Sequence, residues 1–388
     1  MKIGIITFHA SFNYGSMLQA WAMQTYMENL GHVVEIVNFR SKAQKNMYHR
    51  PIDFSSLINI LSGFKRMLLH PSSILPLNKK WKLFDDFLNS QFHLSKEYNS
   101  ISDLYKEKFD FDVLICGSDQ IWNTGIPDFG LAYFGNFVGE KTTKISYAVS
   151  MGQMPQNTDV DIFKKNVIGF DAISVREPKT RDVLINNGIT IDAEVVCDPT
   201  LLLDVSYYKK LIENQERLIK EPYAFFYTPV GLPYDYFEIA SSIGRKFGIK
   251  VVTEKAYYPK DIKKYKIEEY LITGPKEFLN LIQNASLVIG GSFHLQVFSI
   301  LFHKDFYCIN GDKDSRTNNL LNILGLDNRI ISLDNPVNYD LNSISYNEVD
   351  AKLKNYINSS EKWLNEMLLK NTKTIANEKD YVGFRHTP

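Results

Sequence analysis

One imidazole and two guanidinium groups stand where this sequence offers free backbone donors. The run Leu287-Val288-Ile289-Gly290-Gly291-Ser292-Phe293-His294 reads as a buried strand ending in two glycines, with a helix opening at Ser292 and His294 in its first turn. Backbone N–H groups at a helix start attract negative charge, so Gly291, Ser292 and His294 suit an anion and a proton transfer beside it. The alternative is a structural histidine, the reading given to His303 ahead of the next apolar run. Arg176 closes the run Ala172–Val175, at a strand's carboxyl end. A guanidinium there meets either an anion or a nearby carboxylate, Glu177 or Asp198. Further on, Asp314-Ser315-Arg316-Thr317 places another cation and two hydroxyls ahead of a helix. Together His294, Arg176, Arg316 and the helix starts can neutralise a small, densely charged anion.

A second set of residues suits hydroxyl groups. The loop after the first strand contains Asn13-Tyr14-Gly15-Ser16, a capped helix start that either holds a ligand or simply turns the chain. It lacks the G-x-G-x-x-G spacing of dinucleotide sites. After the third strand, Gly117-Ser118-Asp119-Gln120-Ile121-Trp122-Asn123 puts polar groups before an aromatic ring. Asp119 and Gln120 then address sugar hydroxyls while Trp122 lies on the ring's C–H face, or Trp122 belongs to the core behind a capped turn.

Short apolar runs must position these residues. In the first half they are Ile3–Phe8, Val33–Phe39, Val113–Cys116, Lys144–Val149, Ala172–Val175 and Ala193–Cys197. In the second they are Tyr223–Thr228, Lys250–Thr253, Leu287–Ile289 and Phe306–Ile309. Runs that are apolar nearly throughout suit parallel strands covered on both faces. Helical patterns separate them, as at Ser16–Leu30 and Pro275–Asn284. The expected fold is therefore α/β, two Rossmann-like domains facing a cleft, with ligands beyond the strands' carboxyl ends. The division falls near Asp204–Tyr208, giving domains 1–205 and 206–388, and the capping pattern Ser345-Tyr346-Asn347-Glu348 opens a closing helix.

Composition removes several classes. The 388 residues carry 44 Lys and Arg against 44 Asp and Glu, so no basic field marks a nucleic-acid partner. Cys116, Cys197 and Cys308 are scattered within apolar runs, which predicts buried thiols and no metal site. The sequence shows neither a membrane span nor a signal peptide, so the expected location is cytoplasmic. In Phe54–Leu69 apolar residues recur at helical spacing beside Lys65 and Arg66. This reads first as a core-facing helix, and second as a contact with the inner face of a membrane.

Seven segments together resemble the polysaccharide pyruvyl transferase family. They are Asn13–Gln19, Gly117–Asn123, Ser146-Tyr147-Ala148, Ser174-Val175-Arg176-Glu177, Asp198–Leu202, Ser292-Phe293-His294 and Ser315-Arg316, in family order across nearly the whole chain. The resemblance implies a fold like the B type of glycosyltransferases, with phosphoenolpyruvate as co-substrate and no other cofactor. It implies His294 and Arg176 as catalytic residues, with Gly291, Ser292, Ser315 and Arg316 around the donor. The acceptor, a sugar or lipid-linked oligosaccharide, then falls to Asn13, Tyr14, Gly15, Asp119, Gln120 and Trp122, with Asp119 or His9 as proton acceptor. The chain departs from the family pattern at Ser292, often arginine, and Leu295, often glycine, so Arg316 is the candidate replacement cation. Two rivals remain. A nucleotide-sugar glycosyltransferase of this fold commonly carries an acidic residue on the late helix, and none occurs from Ser292 to Phe302. A non-catalytic glycan-assembly protein is the other.

Overall fold

The computed structural model describes residues 1–48, 71–152, 160–189, 192–228, 234–254, 262–270, 272–334 and 342–383. The expected membrane-contacting stretch Phe54–Leu69 lies outside them. Two six-stranded parallel sheets form the frame. The first contains β1 (Lys2–Ile6), β2 (Val33–Ile36), β3 (Val113–Cys116), β4 (Thr143–Val149), β5 (Ala172–Val175) and β6 (Ala193–Val195), in the order β2-β1-β3-β4-β5-β6. The second contains β7 (Tyr223–Tyr227), β8 (Lys250–Glu254), β9 (Ile267–Tyr270), β10 (Leu287–Gly290), β11 (Phe306–Ile309) and β12 (Ile330–Ile331). Its order is β12-β11-β10-β7-β8-β9. Each sheet reverses direction of winding once, between β1 and β3 and between β7 and β10. Loops leaving such a pair diverge and open a crevice at the strands' carboxyl ends.

Two strands escaped the sequence reading. The run Ile-Glu-Glu-Tyr of β9 is an edge strand with one apolar anchor, Ile267, and β12 is two residues long. Neither carries an apolar run that stands out without its neighbours. The two sheets divide between β6 and β7, and the last helix bridges both domains. It opens against the second, where the Tyr346 hydroxyl donates to the Lys304 carbonyl at 2.5 Å and Asp350 lies 3.0 Å from His303 Nε2. Tyr346–Gly383 returns to the first domain, where the Ser360 hydroxyl accepts a 2.9 Å bond from the Cys197 N–H and Trp363 lies 6.3 Å from the Tyr147 ring.

The helix Tyr14–Asn29 is buried on nearly every side. Its four-residue apolar spacing predicts one buried face. In the structure it lies against the first sheet on one side and the second domain's helices Pro275–Asn284 and Phe293–Leu301 on the other. One hydrophobic cluster therefore runs through both domains, from Met17 and Trp21 to Phe278 and Phe298. Burial of that shared surface fixes the domains against each other at about 25 cal/mol per Å² of apolar area. All three cysteines are buried free thiols.

Candidate active site

Asp198 is the hub of the cleft. It follows β6, caps the turn Pro199–Leu201, and is 1% exposed. Its Oδ1 accepts bonds from the Thr200 N–H at 3.0 Å and the Thr200 hydroxyl at 2.7 Å. Its Oδ2 accepts from Arg176 Nη1 at 2.8 Å and lies 3.5 Å from His294 Nε2. Burial alone raises a carboxyl's pKa, but here His294 and Arg176 outweigh it and hold Asp198 well below the usual carboxylate range.

Arg176 and His294 thus come from opposite domains to one carboxylate oxygen. Arg176 extends from the end of β5 and is 2% exposed. It keeps two guanidinium nitrogens, Nε and Nη2, without a hydrogen-bond partner, and Nη2 stands 3.6 Å from Asp119 Oδ1. His294 Nε2 likewise has no hydrogen-bond partner. Its 3.5 Å separation from Asp198 is an electrostatic contact more than a bond. Buried donors left open in this way cost about 1–3 kcal/mol each, a cost that an anion entering between them removes.

The second domain frames this pair. At the end of β10 a side chain on Gly290 would meet the Tyr227 carbonyl oxygen at 1.8 Å, so only glycine lets the chain turn there. Gly291 is held nearly as tightly, since an added Cβ would lie 2.9 Å from the Tyr236 ring. Ser292 then caps the helix Phe293–Leu301 in position only, since its side chain makes no capping bond. The Phe293 ring lies 4.7 Å from the Arg176 guanidinium and 5.9 Å from that of Arg316. Arg316 follows Ser315 at the start of Ser315–Leu324 and is clasped by Asp314, with Nε–Oδ1 2.8 Å and Nη2–Oδ2 2.6 Å. The pair holds Asp314 at about 2 against its burial, so Arg316 arrives largely neutralised by its own neighbour. Glu177, capping the helix Pro178–Asn186, accepts from Ser150 at 2.8 Å and from Thr180, and burial raises its pKa against the pull of Arg176.

On the first domain, Asn13 accepts bonds from the Gly15 N–H at 2.9 Å and the Ser16 N–H at 3.3 Å. Gly15 faces the imidazole itself: an added Cβ would lie 2.0 Å from His294 Nδ1. Asp119, in a left-handed conformation with φ 73°, accepts from the Ser16 hydroxyl at 2.5 Å. Gln120 is partly exposed and accepts from Asn123 at 2.8 Å.

Two expectations for the acceptor side require correction. Trp122 is 0% exposed, its ring 5.5 Å from Phe134 and enclosed by Phe163 and Phe170, so its faces are covered by protein. Tyr14 crosses to the second domain, where its ring stacks on Phe278 at 4.4 Å and its hydroxyl meets Glu254 and, at 2.7 Å, Thr273. The apolar surroundings of both rings make core contact the better use of their area. His9 is also occupied, with Nε2 3.0 Å from Asn38 Oδ1 and Nδ1 3.2 Å from the Thr7 carbonyl. Burial, the largest influence, lowers its pKa.

Sequence reasoning missed the hub role of Asp198, which it weighed only as a salt-bridge partner. It also passed over Gln44 and Asp128. The buried Asp128 accepts from the Ser11 hydroxyl at 3.1 Å. An aspartate in the loop Ile126-Pro127-Asp128 gives no signal of burial by itself. Among the described residues, no three His, Cys, Asp or Glu side chains gather to hold a metal, and no helix is long and apolar enough to cross a membrane.

The fold and site define an α/β protein built on two six-stranded parallel sheets, with Arg176 and His294 converging on Asp198 between them. The chain belongs to the polysaccharide pyruvyl transferase family, whose family model matches residues 13–313. No curated protein matches it in sequence. Among solved structures it is similar to a UDP-GlcNAc 2-epimerase from Neisseria meningitidis bound to UDP-GlcNAc. That match has 11% identity and a TM-score of 0.49, and covers 95% of this chain and 100% of that one. The epimerase from Rickettsia bellii shows 9% identity and a TM-score of 0.49, covering 99% and 97%. The E. coli heptosyltransferase WaaC with ADP shows 9% identity and a TM-score of 0.36, covering 92% and 97%.

Proposed function

We propose that this chain moves the pyruvyl group of phosphoenolpyruvate onto two hydroxyls of a sugar, in a cell-surface glycan or its lipid-linked precursor, forming a ketal. The observation that carries this reading is the open pair of donors, Arg176 and His294, set from opposite domains around Asp198. Phosphoenolpyruvate bears a phosphate and a carboxylate on three carbons, and these donors with the Ser292 helix start suit it. Arg316, 5.9 Å from the Phe293 ring that also faces Arg176, adds a further cation beside them, with Ser315 preceding it at the helix start.

In this reading His294, protonated beside the donor's negative charge, gives its proton to the methylene carbon. The carbon bearing phosphate becomes electron-poor and a sugar hydroxyl adds to it. Phosphate leaves with the electrons of its C–O bond, and the second hydroxyl closes the ring. Two hydroxyl protons are released; one restores His294 and the other leaves on hydrogen phosphate. Arg176 stabilises the charge on the departing group. Phosphoenolpyruvate is the only co-substrate, no metal takes part, and the reaction belongs in the cytoplasm.

The test is phosphate release from phosphoenolpyruvate in the presence of candidate glycans. His294→Ala is expected to lower kcat by roughly 10²–10⁴-fold, the usual contribution of a general acid, while the protein still melts cooperatively. Nucleotide-sugar binding by calorimetry, with no response to phosphoenolpyruvate, overturns the proposal.

A further inference from the structure

We propose that Ser11, Gln44 and Asp128 form the subsite that grips the acceptor's hydroxyls, with Asp128 taking the proton of the hydroxyl that attacks. This deepens the function proposed above and rests on it.

Among the described residues, Asp128 Oδ1 and Gln44 Oε1 are two buried hydrogen-bond acceptors of one cluster that have no donor. Their residues are 5% and 1% exposed, so water does not serve these atoms freely. Buried acceptors without partners are uncommon in folded proteins, and two in one cluster point to a missing donor. Ser11 joins them, donating to Asp128 Oδ2 at 3.1 Å and accepting from Gln44 Nε2 at 3.5 Å. A ligand that supplies two O–H donors a few ångströms apart completes the set, and a sugar diol is such a ligand.

The cluster adjoins the catalytic centre through short connections. Ser11 lies two residues before Asn13, in the loop that sets Gly15 against His294. Asp119, bonded to the Ser16 hydroxyl and 3.6 Å from Arg176, is close enough to Asp128 for their charges to interact. The cluster therefore lies on the first-domain side of the centre, joined to it through Asp119 and the loop that carries Gly15. With Trp122 and Tyr14 both committed to protein contacts, it also supplies the acceptor side with groups of the right chemistry.

Ketal formation releases two hydroxyl protons. Asp128 Oδ1 receives the first as the hydroxyl oxygen bonds to the donor carbon, and passes it to the phosphate that departs. The second restores His294. Burial pushes the Asp128 carboxyl up to about 6 against its bond from Ser11, with Asp119 adding to the rise. A base in that range is ionised at neutral pH yet basic enough to take the proton. The titratable groups facing it are Asp119, Tyr48 and Tyr133, and both tyrosines are held protonated by burial.

The test uses the full chain with phosphoenolpyruvate and the methyl glycosides of galactose, glucose and mannose. Binding is read by saturation-transfer NMR and calorimetry, and turnover by phosphate release. Asp128→Asn is expected to keep phosphoenolpyruvate affinity within about twofold and to lose roughly a hundredfold or more in kcat. The wild-type acid limb in kcat/KM, near pH 6, disappears with it. Gln44→Ala is expected to raise the acceptor KM about tenfold with little change in kcat, the pattern of a lost binding contact. Asp128→Asn turning over like wild type, or losing phosphoenolpyruvate affinity together with turnover, overturns the subsite. So does a wild-type chain that binds phosphoenolpyruvate and none of the glycosides. A chain that binds a glycoside through Gln44 and Asp128 but not phosphoenolpyruvate supports the subsite and sinks the donor assignment instead.

Discussion

At the scale of single residues, the cleft depends on how Asp198 divides its attention. One oxygen is saturated by Thr200, and the other is shared by a guanidinium and an imidazole. Its charge lets Arg176 be buried at all, since an unpaired guanidinium in that place costs several kcal/mol. Asp198→Ala should therefore destabilise the chain by about 3–5 kcal/mol in urea unfolding, because it removes the carboxylate bonded to Arg176 and leaves it the looser contact with Asp119, 3.6 Å away. The same carboxylate gives the protein an acid limit. A carboxyl whose folded pKa is depressed contributes stability above its unfolded value, near 4, and loses it as pH falls through the folded value. Wild type should lose stability steadily below pH ~4, and an acid titration of Asp198→Asn should show a shallower decline over that range.

Elements act here mainly by bringing backbone close to side chains. The helix Tyr14–Asn29 presents Gly15 to His294 with no room for a methyl group. Alanine is the better helix former by about 1 kcal/mol, so propensity favours Gly15→Ala. Contact with the imidazole opposes it, and the imidazole must move. The expected result is a kcat lowered by roughly a hundredfold, as for a misplacement of about 1 Å, with a melting temperature changed far less than activity. A variant with normal kcat would show that His294 does not need its present position. The glycine turn after β10 was legible in the sequence as a strand ending in two glycines. That Gly15 serves the same histidine from another domain was not, because nothing local in Asn13-Tyr14-Gly15-Ser16 distinguishes a packing glycine from a turn glycine.

Across the whole molecule, the site exists only while the domains hold their relative position. Beyond the shared apolar cluster, a buried polar group spans them. Glu254, at the end of β8, accepts bonds from the Tyr14 hydroxyl and from Lys80 on the helix Pro71–Gln91. Lys80 also lies 5.4 Å from the Tyr14 ring. Lys80→Met removes the cation and leaves a buried carboxylate, and it should cost about 3–5 kcal/mol. Loss of alignment should appear as a weaker phosphoenolpyruvate affinity, although Lys80 touches none of the donor groups. Hydrogen exchange should then rise along Tyr14–Asn29 and Pro275–Asn284 together, since they pack on each other. Exchange confined to the mutated helix would argue that the domains are held by apolar burial alone.

Local pattern was enough for much of this. Among the described residues, apolar runs marked ten of the twelve strands, because strands covered on both faces are apolar nearly throughout. The glycine doublet before His294 and the arginine closing β5 were readable for the same reason: each sits at a boundary between two periodicities. What only the tertiary structure decided is which distant groups meet. A carboxylate's sequence neighbours do not say whether it will be shared by an arginine and a histidine 22 and 96 positions away, as Asp198 is. Nor does an aromatic's neighbourhood say whether its face is open: Trp122 read equally as a sugar platform or a core ring, Tyr14 as an acceptor-side residue, and they proved to be core and inter-domain contacts. Burial and pairing depend on long-range contacts, whereas propensity and periodicity are written residue by residue along the chain.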